Sequence, residues 1–576
     1  MADLTSLYIE RNDCGNCYRC ARECVVKAVS RTEEGAAIDP ERCVECGACL
    51  AWCHDGAVRL RDDVFLARRF IKSYTIKVAS LSPQWVTEFP GIDADRMVEA
   101  LKLLGFTHVS ESALGGEAVL LREKELLMQR EGVSISARCP AISDYIRKYK
   151  PRLAANLLPV ATPMLAHARM IRSWWGHEAR IVHISSCVAA KSEAARNPEL
   201  VELALTFTEL RRWMNDEGLD FDHIRGSDSY QFEPFTARAG LLYPLAGGGV
   251  GGRRLADLAA SGAVHVVRSS LDQVKELLEG MTGRETDRIY LDLMACPNGC
   301  LGSNGATAGR DSYLAQCGRL NRAAASRRMI DESYNLPYIS LDSTPVEDEA
   351  VSSFVAESDT LRALDSLGLS LESDRIDCNG CGYGTCRRFA KALSRGVVCR
   401  QMCTHYVQTE LRSRFTTLVN KLAAGVAVVA LEEGTVRIAE ANRRLASMMG
   451  PDAESLYDAS PGWSGLEGES VLPFVRLVNE LAESGDESLV RDVQVRERIL
   501  TVSVHVVQRG KVYLMICRNM LFSQVRNEEI VSRTQRVIRE NLETVQKIAC
   551  LLGENASRTE AILNSILDAR GGAKNE

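Results

Sequence analysis

The sequence lacks the features of a membrane or secreted protein. Its longest apolar run, from Leu422 to Leu431, is far shorter than the roughly 20 residues that a membrane-spanning helix needs. The N-terminus is polar and reaches its first cysteine at Cys14, which does not fit a cleaved signal peptide. A net charge of −6 gives no basis for binding nucleic acid or an anionic membrane. We therefore expect a cytoplasmic protein.

Motifs for phosphate binding and for common signalling enzymes are also missing. The glycine run at 247–252 lacks the lysine and threonine of a Walker motif and fits no dinucleotide-binding fingerprint. We interpret it as a tight turn where the backbone approaches another element. The chain contains no kinase, phosphatase or DNA-binding motif, so any signalling output requires a separate partner.

Cysteines are the unusual part of the composition. Of twenty cysteines in 576 residues, eight lie before residue 54 and five lie between residues 378 and 403. Tight cysteine groups in a long chain without a signal peptide indicate metal ligation in a reducing compartment. Three isolated cysteines are interpreted as small buried apolar side chains: Cys317, Cys517 and Cys550. The length predicts about three to five domains.

Residues 1–70 carry the spacing C-x₂-C-x₂-C-x₃-C twice. The two copies are Cys14, Cys17, Cys20, Cys24 and Cys43, Cys46, Cys49, Cys53. In bacterial two-cluster ferredoxins, which have this spacing, the fourth cysteine of each run ligates the other cluster. We therefore expect two [4Fe–4S] clusters, one on Cys14, Cys17, Cys20 and Cys53 and the other on Cys43, Cys46, Cys49 and Cys24. Val25 and His54 replace the usual proline, which ligates nothing. Zinc binding is the alternative, but two consecutive runs of four cysteines with the same spacing disfavour it.

Residues 71–365 alternate between strand-like and helical stretches, which predicts an α/β domain with a largely parallel sheet. The strand candidates are 76–81, 180–185, 264–267 and 289–294. Ligands collect beyond the carboxyl ends of the strands in such sheets. Cys187 and Cys296 lie just past strand candidates, Cys139 follows the apolar residues 133–135, and Cys300 follows Cys296. Together these four make the usual ligand number of a cubane cluster.

Residues 366–411 contain a third cysteine group, with the spacing C-x₂-C-x₄-C-x₁₆-C. Its members are Cys378, Cys381, Cys386 and Cys403. The spacing resembles the small helical four-cysteine [4Fe–4S] domain of Rnf-type electron-transfer and corrinoid proteins. Cys399 is the alternative to Cys403 as fourth ligand, and zinc is the alternative metal.

Residues 412–520 contain no ligand group and change to a strand, turn, strand and helix pattern. Apolar runs at 427–430 and 436–441 flank a turn at Gly434, and a helix follows Asn442. Alternating runs at 500–507 and 511–517 predict further antiparallel strands. The pattern resembles an α+β PAS domain. We interpret His505 as structural and expect a ligand-free relay or dimer interface.

Residues 521–576 are predicted to be helical, with an apolar stripe at near-heptad spacing. One interpretation is a helix pair that caps the preceding domain. The other is a tail for dimerisation and output that docks a signalling partner.

Residues 75–310 resemble the catalytic domain of [FeFe]-hydrogenases, most of all the sensory branch that carries a PAS domain. The resemblance lies in the segments VASLSP, LKLLGFTHVSESALGGE, ISARCPAI, LLPVATPMLAHARMIR, VHISSCVAAKSEAAR, LTFTEL and LMACPNGCLGSNG. It implies that four thiols hold a [4Fe–4S] cluster and that one also bridges to a two-iron subsite that makes or splits H₂. By position, the four are Cys139, Cys187, Cys296 and Cys300, with Cys300 as the bridge.

Several residues around these ligands depart from the family pattern. Highly active members carry a proton-relaying cysteine where this chain has Arg138, which stays protonated near neutral pH. Arg138 would either favour a reduced cluster by charge and hydrogen bonds or point to solvent without effect. Ala190 replaces a lysine that donates to the two-iron subsite, and Lys191 is the candidate to replace it. Ser185-Ser186 replaces a methionine–proline or glycine–proline pair, while Met294 is kept.

The sequence thus predicts a multidomain H₂- or redox-sensing iron–sulfur protein with slow or vestigial hydrogenase activity and PAS-mediated signalling. The alternative is an electron-transfer protein or redox sensor that lacks the two-iron subsite. The resemblance implies [4Fe–4S] clusters as cofactors, together with the two-iron subsite if it is bound. It also implies H₂ and protons as substrates, ferredoxin or another redox partner, a signalling partner and a homodimer.

Overall fold

The computed structural model describes residues 6–32, 35–227, 229–237, 239–248, 263–281, 285, 287–306, 311–327, 337, 339–343, 355–432, 434–496 and 498–519. The chain divides into two compact units, Met1–Tyr406 and Val407–Glu576. No helix within the described ranges combines the length and apolar character needed to cross a membrane. The predicted helical tail at 521–576, Cys550 and the glycines at 249–252 lie outside the described residues.

The first unit begins with two small antiparallel sheets. Their strands are β1 (Leu7–Ile9), β2 (Val29–Thr32), β3 (Gly35–Ile38) and β4 (Val58–Leu60). Strand β1 pairs with β4, and β2 pairs with β3. Two short helices, α1 (Arg19–Glu23) and α2 (Ala48–Trp52), each carry one cysteine of a four-cysteine run. Tyr18 and Gly47, with φ of 58° and 71°, turn the chain into these helices.

The mixed α/β architecture predicted for the next part of the unit is confirmed, with two parallel sheets in place of one. The first has the order β6-β5-β8-β9 and the second the order β10-β11-β7. Their strands are β5 (Lys77–Leu81), β6 (His108–Glu111), β7 (Val133–Ile135), β8 (Arg180–Ser185), β9 (Leu203–Thr206), β10 (Val264–Ser269) and β11 (Ile289–Met294). The short strands β6 and β9 have too few residues to stand out in the sequence.

Helices cover both sheets, and the strands are correspondingly apolar on both faces. The helices are α3 (Val64–Ser73), α4 (Trp85–Glu88), α5 (Ala94–Leu103), α6 (Ala113–Gln129), α7 (Pro140–Tyr149), α8 (Pro163–Trp175), α9 (Ala189–Arg196), α10 (Phe207–Asp216), α11 (Leu271–Gly280) and α12 (Tyr313–Ser326). One core joins the first sheet to α3, α5 and α10, with Met97, Leu101 and Trp213 among its buried side chains. Another joins the second sheet to α7 and α11, around Ile142, Val274 and Leu293.

The last part of the first unit is small and helical. Helix α13 (Glu357–Asp365) packs against α14 (Cys386–Ser394), with Leu364 and Phe389 buried in a common core. The following helix, α15, spans Thr404–Lys421.

The second unit contains a five-stranded antiparallel sheet in the order β13-β12-β16-β15-β14. Its strands are β12 (Gly425–Glu432), β13 (Thr435–Ala441), β14 (Ser488–Val495), β15 (Arg498–Gln508) and β16 (Val512–Asn519). Its helices are α16 (Arg443–Met449), α17 (Pro451–Ala459), α18 (Gly468–Val471) and α19 (Arg476–Ser484). Strand β14 was not among the sequence predictions because it is an edge strand that exposes most of its side chains.

Asn442 fixes the start of helix α16. Its Oδ1 atom accepts from the backbone N–H groups of Leu445 and Val426, both at 2.9 Å. Its amide group donates to the carbonyls of Val419 at 2.9 Å and Ala424 at 2.8 Å. A buried amide with all these partners holds the helix, strand β12 and the preceding turn together.

Candidate iron–sulfur centres

The carboxyl ends of the two parallel sheets bring four distant cysteines together. Cys187 follows β8 of the first sheet, whereas Cys139 and Cys296 follow β7 and β11 of the second. Cys139 is also the N-cap residue of α7, where Pro140 occupies the first helical position. Cys300 begins a short 3₁₀ helix, Cys300–Gly302, and its N–H donates to the Pro244 carbonyl at 2.8 Å. The four-thiol arrangement that the spacing predicts is present in the fold.

Gly299 allows the loop that carries Cys300 to approach the neighbouring chain. It has a φ of 76°, and a Cβ at this position would lie 2.7 Å from both the Ala246 nitrogen and the Pro244 oxygen. Only glycine adopts this backbone without strain and leaves room for that contact.

The four thiols of Cys139, Cys187, Cys296 and Cys300 line one cavity, which we call the four-thiol cavity. The empty space in and in front of this cavity, open solvent included, is about 710 Å³. Burial raises the pKa of all four thiols, and the neighbouring thiols raise those of Cys187, Cys296 and Cys300 further, in the case of Cys300 to about 12. Thiolates therefore form here only with a cation that compensates their charge, and iron is such a cation. The donor set fits a cubane cluster.

Arg138 lies at this cavity and not in solvent, so the solvent-facing interpretation of Arg138 is wrong. Its guanidinium forms a buried ion pair with Asp292 of β11, with 2% and 0% of the two side chains exposed. It also donates to the Tyr243 carbonyl at 3.3 Å. Burial alone would raise the pKa of Asp292, but Arg138 and His265 outweigh burial and lower it. Arg138 is therefore a fixed positive charge near Cys300, and it partly offsets the rise that burial causes in the pKa of that thiol.

A second set of buried hydrogen bonds adjoins this pair. Ser136 donates to one Glu123 carboxylate oxygen at 2.6 Å, and the Tyr290 hydroxyl donates to the other at 2.8 Å. Burial raises the pKa of Glu123 and outweighs these donors and Arg138, which lower it. The set therefore adds buried polar groups whose charge is coupled to that of Arg138.

Lys191 lies away from the cavity, which corrects the prediction that it faces the two-iron subsite. Its ammonium group lies 2.7 Å from Asp63 Oδ2 and 2.9 Å from Glu209 Oε1, with none of the side chain exposed. Ala190 lines the cavity instead. Successive helical residues point about 100° apart, so the one-residue shift sends the lysine to another face.

Met294 lines the cavity as expected, and several polar residues do so without having been predicted, among them Gln84, Glu193 and Tyr243. The Gln84 Oε1 and Arg138 Nε atoms are buried and have no hydrogen-bond partner among the residues that the structure describes. Burial raises the pKa of Glu193 to about 7. Gln84 follows the carboxyl end of β5, so the expectation that site residues lie just beyond parallel strands could have predicted it. Nothing in the sequence singles out Glu193.

Two buried histidines share one serine behind the cavity. Ser80 Oγ lies 2.8 Å from His167 Nδ1 and 3.0 Å from His183 Nδ1. Ser110 Oγ lies 3.0 Å from His167 Nε2. Burial lowers the pKa of His167 to about 3 and that of His183 to about 4, so both rings are neutral at pH 7.

Thiols of the two N-terminal cysteine runs lie near one another. Burial raises the pKa of Cys20, and the thiols of Cys17, Cys14 and Cys53 raise it further. Burial also raises the pKa of Cys49, and the thiols of Cys46, Cys43, Cys24 and Cys20 act in the same direction. Each of these two thiols therefore has neighbours from both runs. Cys46 also lines the four-thiol cavity, and its carbonyl accepts from the Asn304 amide at 3.1 Å. The second run is therefore adjacent to that cavity.

A separate small cavity is lined by four members of the third cysteine group: Cys378, Cys381, Cys386 and Cys403. Cys399 lies elsewhere, with its sulfur 3.4 Å from the Arg31 guanidinium and close to Tyr18. Among the described residues, no group of three or more His, Cys, Asp or Glu side chains is arranged around a single metal ion. A cubane binds its four thiolates at four different iron atoms, so its ligands lie farther apart than the ligands of a single metal ion.

Comparison with known proteins identifies the central domain. Residues 75–304 match the family model of the iron only hydrogenase large subunit, C-terminal domain. The chain is 21% identical over 362 residues to the NADP-reducing hydrogenase subunit HndD of Solidesulfovibrio fructosivorans, which covers 52% of this chain and 62% of that protein. It is 46% identical over 48 residues to a subunit of the ion-translocating oxidoreductase complex of Methanosarcina acetivorans, which covers 8% of this chain and 18% of that protein. The chain thus spans less than two thirds of either relative.

Solved structures of [FeFe]-hydrogenases are also similar to part of the chain. A structure from work on oxygen inactivation of the H cluster is 16% identical, covers 46% of this chain and 89% of that one, and has a TM-score of 0.36. A variant of [FeFe]-hydrogenase HydA1 from Chlamydomonas reinhardtii is 16% identical, covers 45% and 88%, and has a TM-score of 0.34. The prediction of an iron-only hydrogenase domain is confirmed by the family match for residues 75–304. Residues 75–304 are therefore a hydrogenase-like domain.

Proposed function

We propose that the protein senses H₂ or cellular redox poise at the four-thiol cavity, with slow or vestigial H₂ turnover. The observation that carries this proposal is the buried Arg138–Asp292 ion pair. Fast members of the resembled family have a proton-relaying thiol at this position. An arginine bound to a carboxylate keeps its proton at all ordinary pH values and cannot relay one.

Four [4Fe–4S] clusters are the cofactors of this proposal. Their ligands are Cys14, Cys17, Cys20 and Cys53; Cys43, Cys46, Cys49 and Cys24; Cys139, Cys187, Cys296 and Cys300; and Cys378, Cys381, Cys386 and Cys403. Supporting observations are the two separate cavities that the third and fourth sets line and the proximity of the thiols within the first two sets. A two-iron subsite bridged through Cys300, when bound, would supply the H₂ chemistry.

The protein's own groups would hold and tune such a site. Gln84 Oε1 and Arg138 Nε lack partners among the described residues and belong to side chains that line the cavity, so they are available to bound ligands or water. The Arg138 charge favours a more negative, reduced site near Cys300, and Asp292 opposes this effect. Met294 supplies an apolar contact.

Residues 407–576 provide the signalling part of the proposal. The antiparallel sheet and the Asn442 cap support a PAS domain used as a relay or dimer interface. Because burial lowers the pKa of His505, this ring is neutral at pH 7, and we retain its structural role. The proposed partners are ferredoxin or another redox protein, a signalling protein and a second copy of the chain, all in the cytoplasm.

A second function is favoured by the position of Lys191. This lysine, the candidate donor to the two-iron subsite, is engaged by Asp63 and Glu209 instead. An electron-transfer protein or redox sensor that keeps the cubane but lacks the two-iron subsite needs no such donor.

Infrared spectroscopy separates the two functions. The protein is reconstituted with iron and sulfide, treated with a synthetic two-iron precursor, and measured in the cyanide and carbonyl stretching region with and without H₂. Diatomic bands that shift under H₂ are the expected result for the sensor. Intact clusters without such bands would leave the electron-transfer function, and bands with rapid turnover would contradict slow sensing.

A further inference from the structure

The small third cysteine domain packs directly onto the N-terminal two-cluster domain. Cys381 and Phe389 share a buried core with Cys20 and Val29. The Arg31 N–H donates to the Val397 carbonyl at 3.1 Å, which fixes the backbones to each other. Both regions belong to the same compact unit.

Gly382 brings the two backbones together at this contact. It has a φ of 79°, and a Cβ at this position would lie 2.3 Å from the Arg22 carbonyl oxygen. A loop that carries Cys381 is thereby placed against the segment that carries Cys24.

Lys27 occupies the contact between these two cysteines. Its ammonium donates to the Arg22 carbonyl and lies 5.0 Å from the centre of the Tyr383 ring. Burial lowers the pKa of Lys27, and the thiols of Cys24 and Cys381 oppose this by favouring its charged form. Glu23 is a further negative neighbour, and Lys275 is a positive one.

The backbone of Lys27 points to a role for its side chain. Its φ is 54°, in the left-handed region that glycine adopts readily and other residues adopt rarely. The ammonium is held at this contact by its hydrogen bond to the Arg22 carbonyl.

We propose that Lys27 is a shared counter-charge for two clusters and that electrons pass between them across this contact. One is the ferredoxin-type cluster ligated by Cys24, and the other is the cluster of Cys378, Cys381, Cys386 and Cys403. One electron leaves the first cluster, which is oxidised, and enters the second, which is reduced, with no bond or proton exchanged. The inference rests on the proposed function because it assumes both clusters.

This assignment makes the Cys24 cluster a branch point. Through Cys46 it adjoins the four-thiol cavity, and through Lys27 it adjoins the third cluster. An ammonium between two clusters favours the reduced form of each, since each gains a negative charge on reduction.

The test is a redox titration of reconstituted full-length protein, followed by electron paramagnetic resonance. The signal of the third cluster is assigned with the variant Cys381→Ser, which lacks one of its proposed ligands and should therefore lose that signal. Lys27→Met should lower the reduced-to-oxidised ratio of both neighbouring clusters roughly tenfold at a fixed potential, the order expected for one partly buried charge at an effective dielectric of about 20. Tenfold is about 59 mV for a one-electron couple. The cluster on Cys139, Cys187, Cys296 and Cys300 should titrate as before.

Three further variants make the result specific. Lys27→Gly also removes the charge but relieves the backbone, so it should fold and give the same shift. Lys27→Arg keeps the charge and should restore the wild-type potentials. Lys72→Met removes an exposed lysine of α3 and should change nothing.

Two results would overturn the inference. Unchanged potentials in Lys27→Met and Lys27→Gly, with all cluster signals present, would reject it while leaving the proposed cofactors intact. If the wild-type and Cys381→Ser proteins give the same signals, the third cluster is rejected. Both this inference and that part of the proposed function then fail.

Discussion

The Arg138 guanidinium and the Asp292 carboxylate form a buried ion pair beside the four-thiol cavity. Arg138 precedes the first cysteine of the site, and Asp292 lies on β11, two residues before Met294. The pair links the β7 and β11 segments that carry Cys139 and Cys296. It places a fixed charge where a titrating relay group would be needed for rapid proton transfer.

Replacing Asp292 tests the energetic importance of this pair. Asp292→Asn leaves the guanidinium charged and buried without a counter-ion, so we expect unfolding free energy to fall by about 3–5 kcal/mol. Urea unfolding of the first unit, followed by tryptophan fluorescence, measures the change. Asp216→Asn is the matched control, because its ion pair with Arg68 is exposed and should be worth less than about 1 kcal/mol. Equal effects of the two substitutions would contradict the prediction.

Lys191 should be essential for stability and irrelevant to the cavity. Lys191→Met leaves the buried Glu209 without a cation and Asp63 with Arg61 alone, so we expect a loss of about 3–5 kcal/mol. The iron content of the folded fraction and its infrared bands should match those of the wild type, because the side chain points away from the cavity. Lys72→Met, at an exposed site, should leave stability unchanged. A spectral change without a stability change would place Lys191 at the cluster after all.

The buried histidines predict a loss of stability in mild acid. His167 and His183 are neutral in the folded protein, with pKa values of about 3 and 4, whereas unfolded histidine has a pKa of about 6.5. Between these values the unfolded chain binds more protons, so stability falls as the pH drops below about 6.5. Each ring contributes up to about 1.4 kcal/mol per pH unit.

Urea unfolding between pH 7 and pH 5 tests this dependence. His167→Gln should reduce the slope of unfolding free energy against pH by about 1 kcal/mol per unit on average over this range, the share of one ring. His223→Gln, at a side chain that is 86% exposed, should leave the slope unchanged. The same slope in all three proteins would show that other groups cause the acid sensitivity.

The sequence predicted most of the architecture around the site and missed the details that decide its chemistry. Parallel strands and the cysteines that follow them are local patterns, so β5, β8, β10 and β11 were predictable. The division into two sheets depends on which strands pair, a long-range property that periodicity does not contain. The orientations of Arg138 and Lys191 depend on carboxylates more than 100 residues away in sequence, Asp292 and Asp63. No local pattern identifies such partners.

Cys399 and Cys403 differ in their position relative to the other cysteines of the third group. Cys403 lines the cavity with Cys378, Cys381 and Cys386, whereas the Cys399 sulfur lies beside the Arg31 guanidinium. We therefore expect Cys403→Ser to reduce the reconstituted iron content by about four atoms per chain, the content of one cubane. Cys399→Ser has the same chemistry four residues away and should keep the wild-type iron content. Iron and sulfide analysis with Mössbauer spectroscopy measures both variants. If Cys399→Ser loses iron and Cys403→Ser keeps it, the fourth ligand is Cys399 and not Cys403, because only the removal of a ligand should release the cluster.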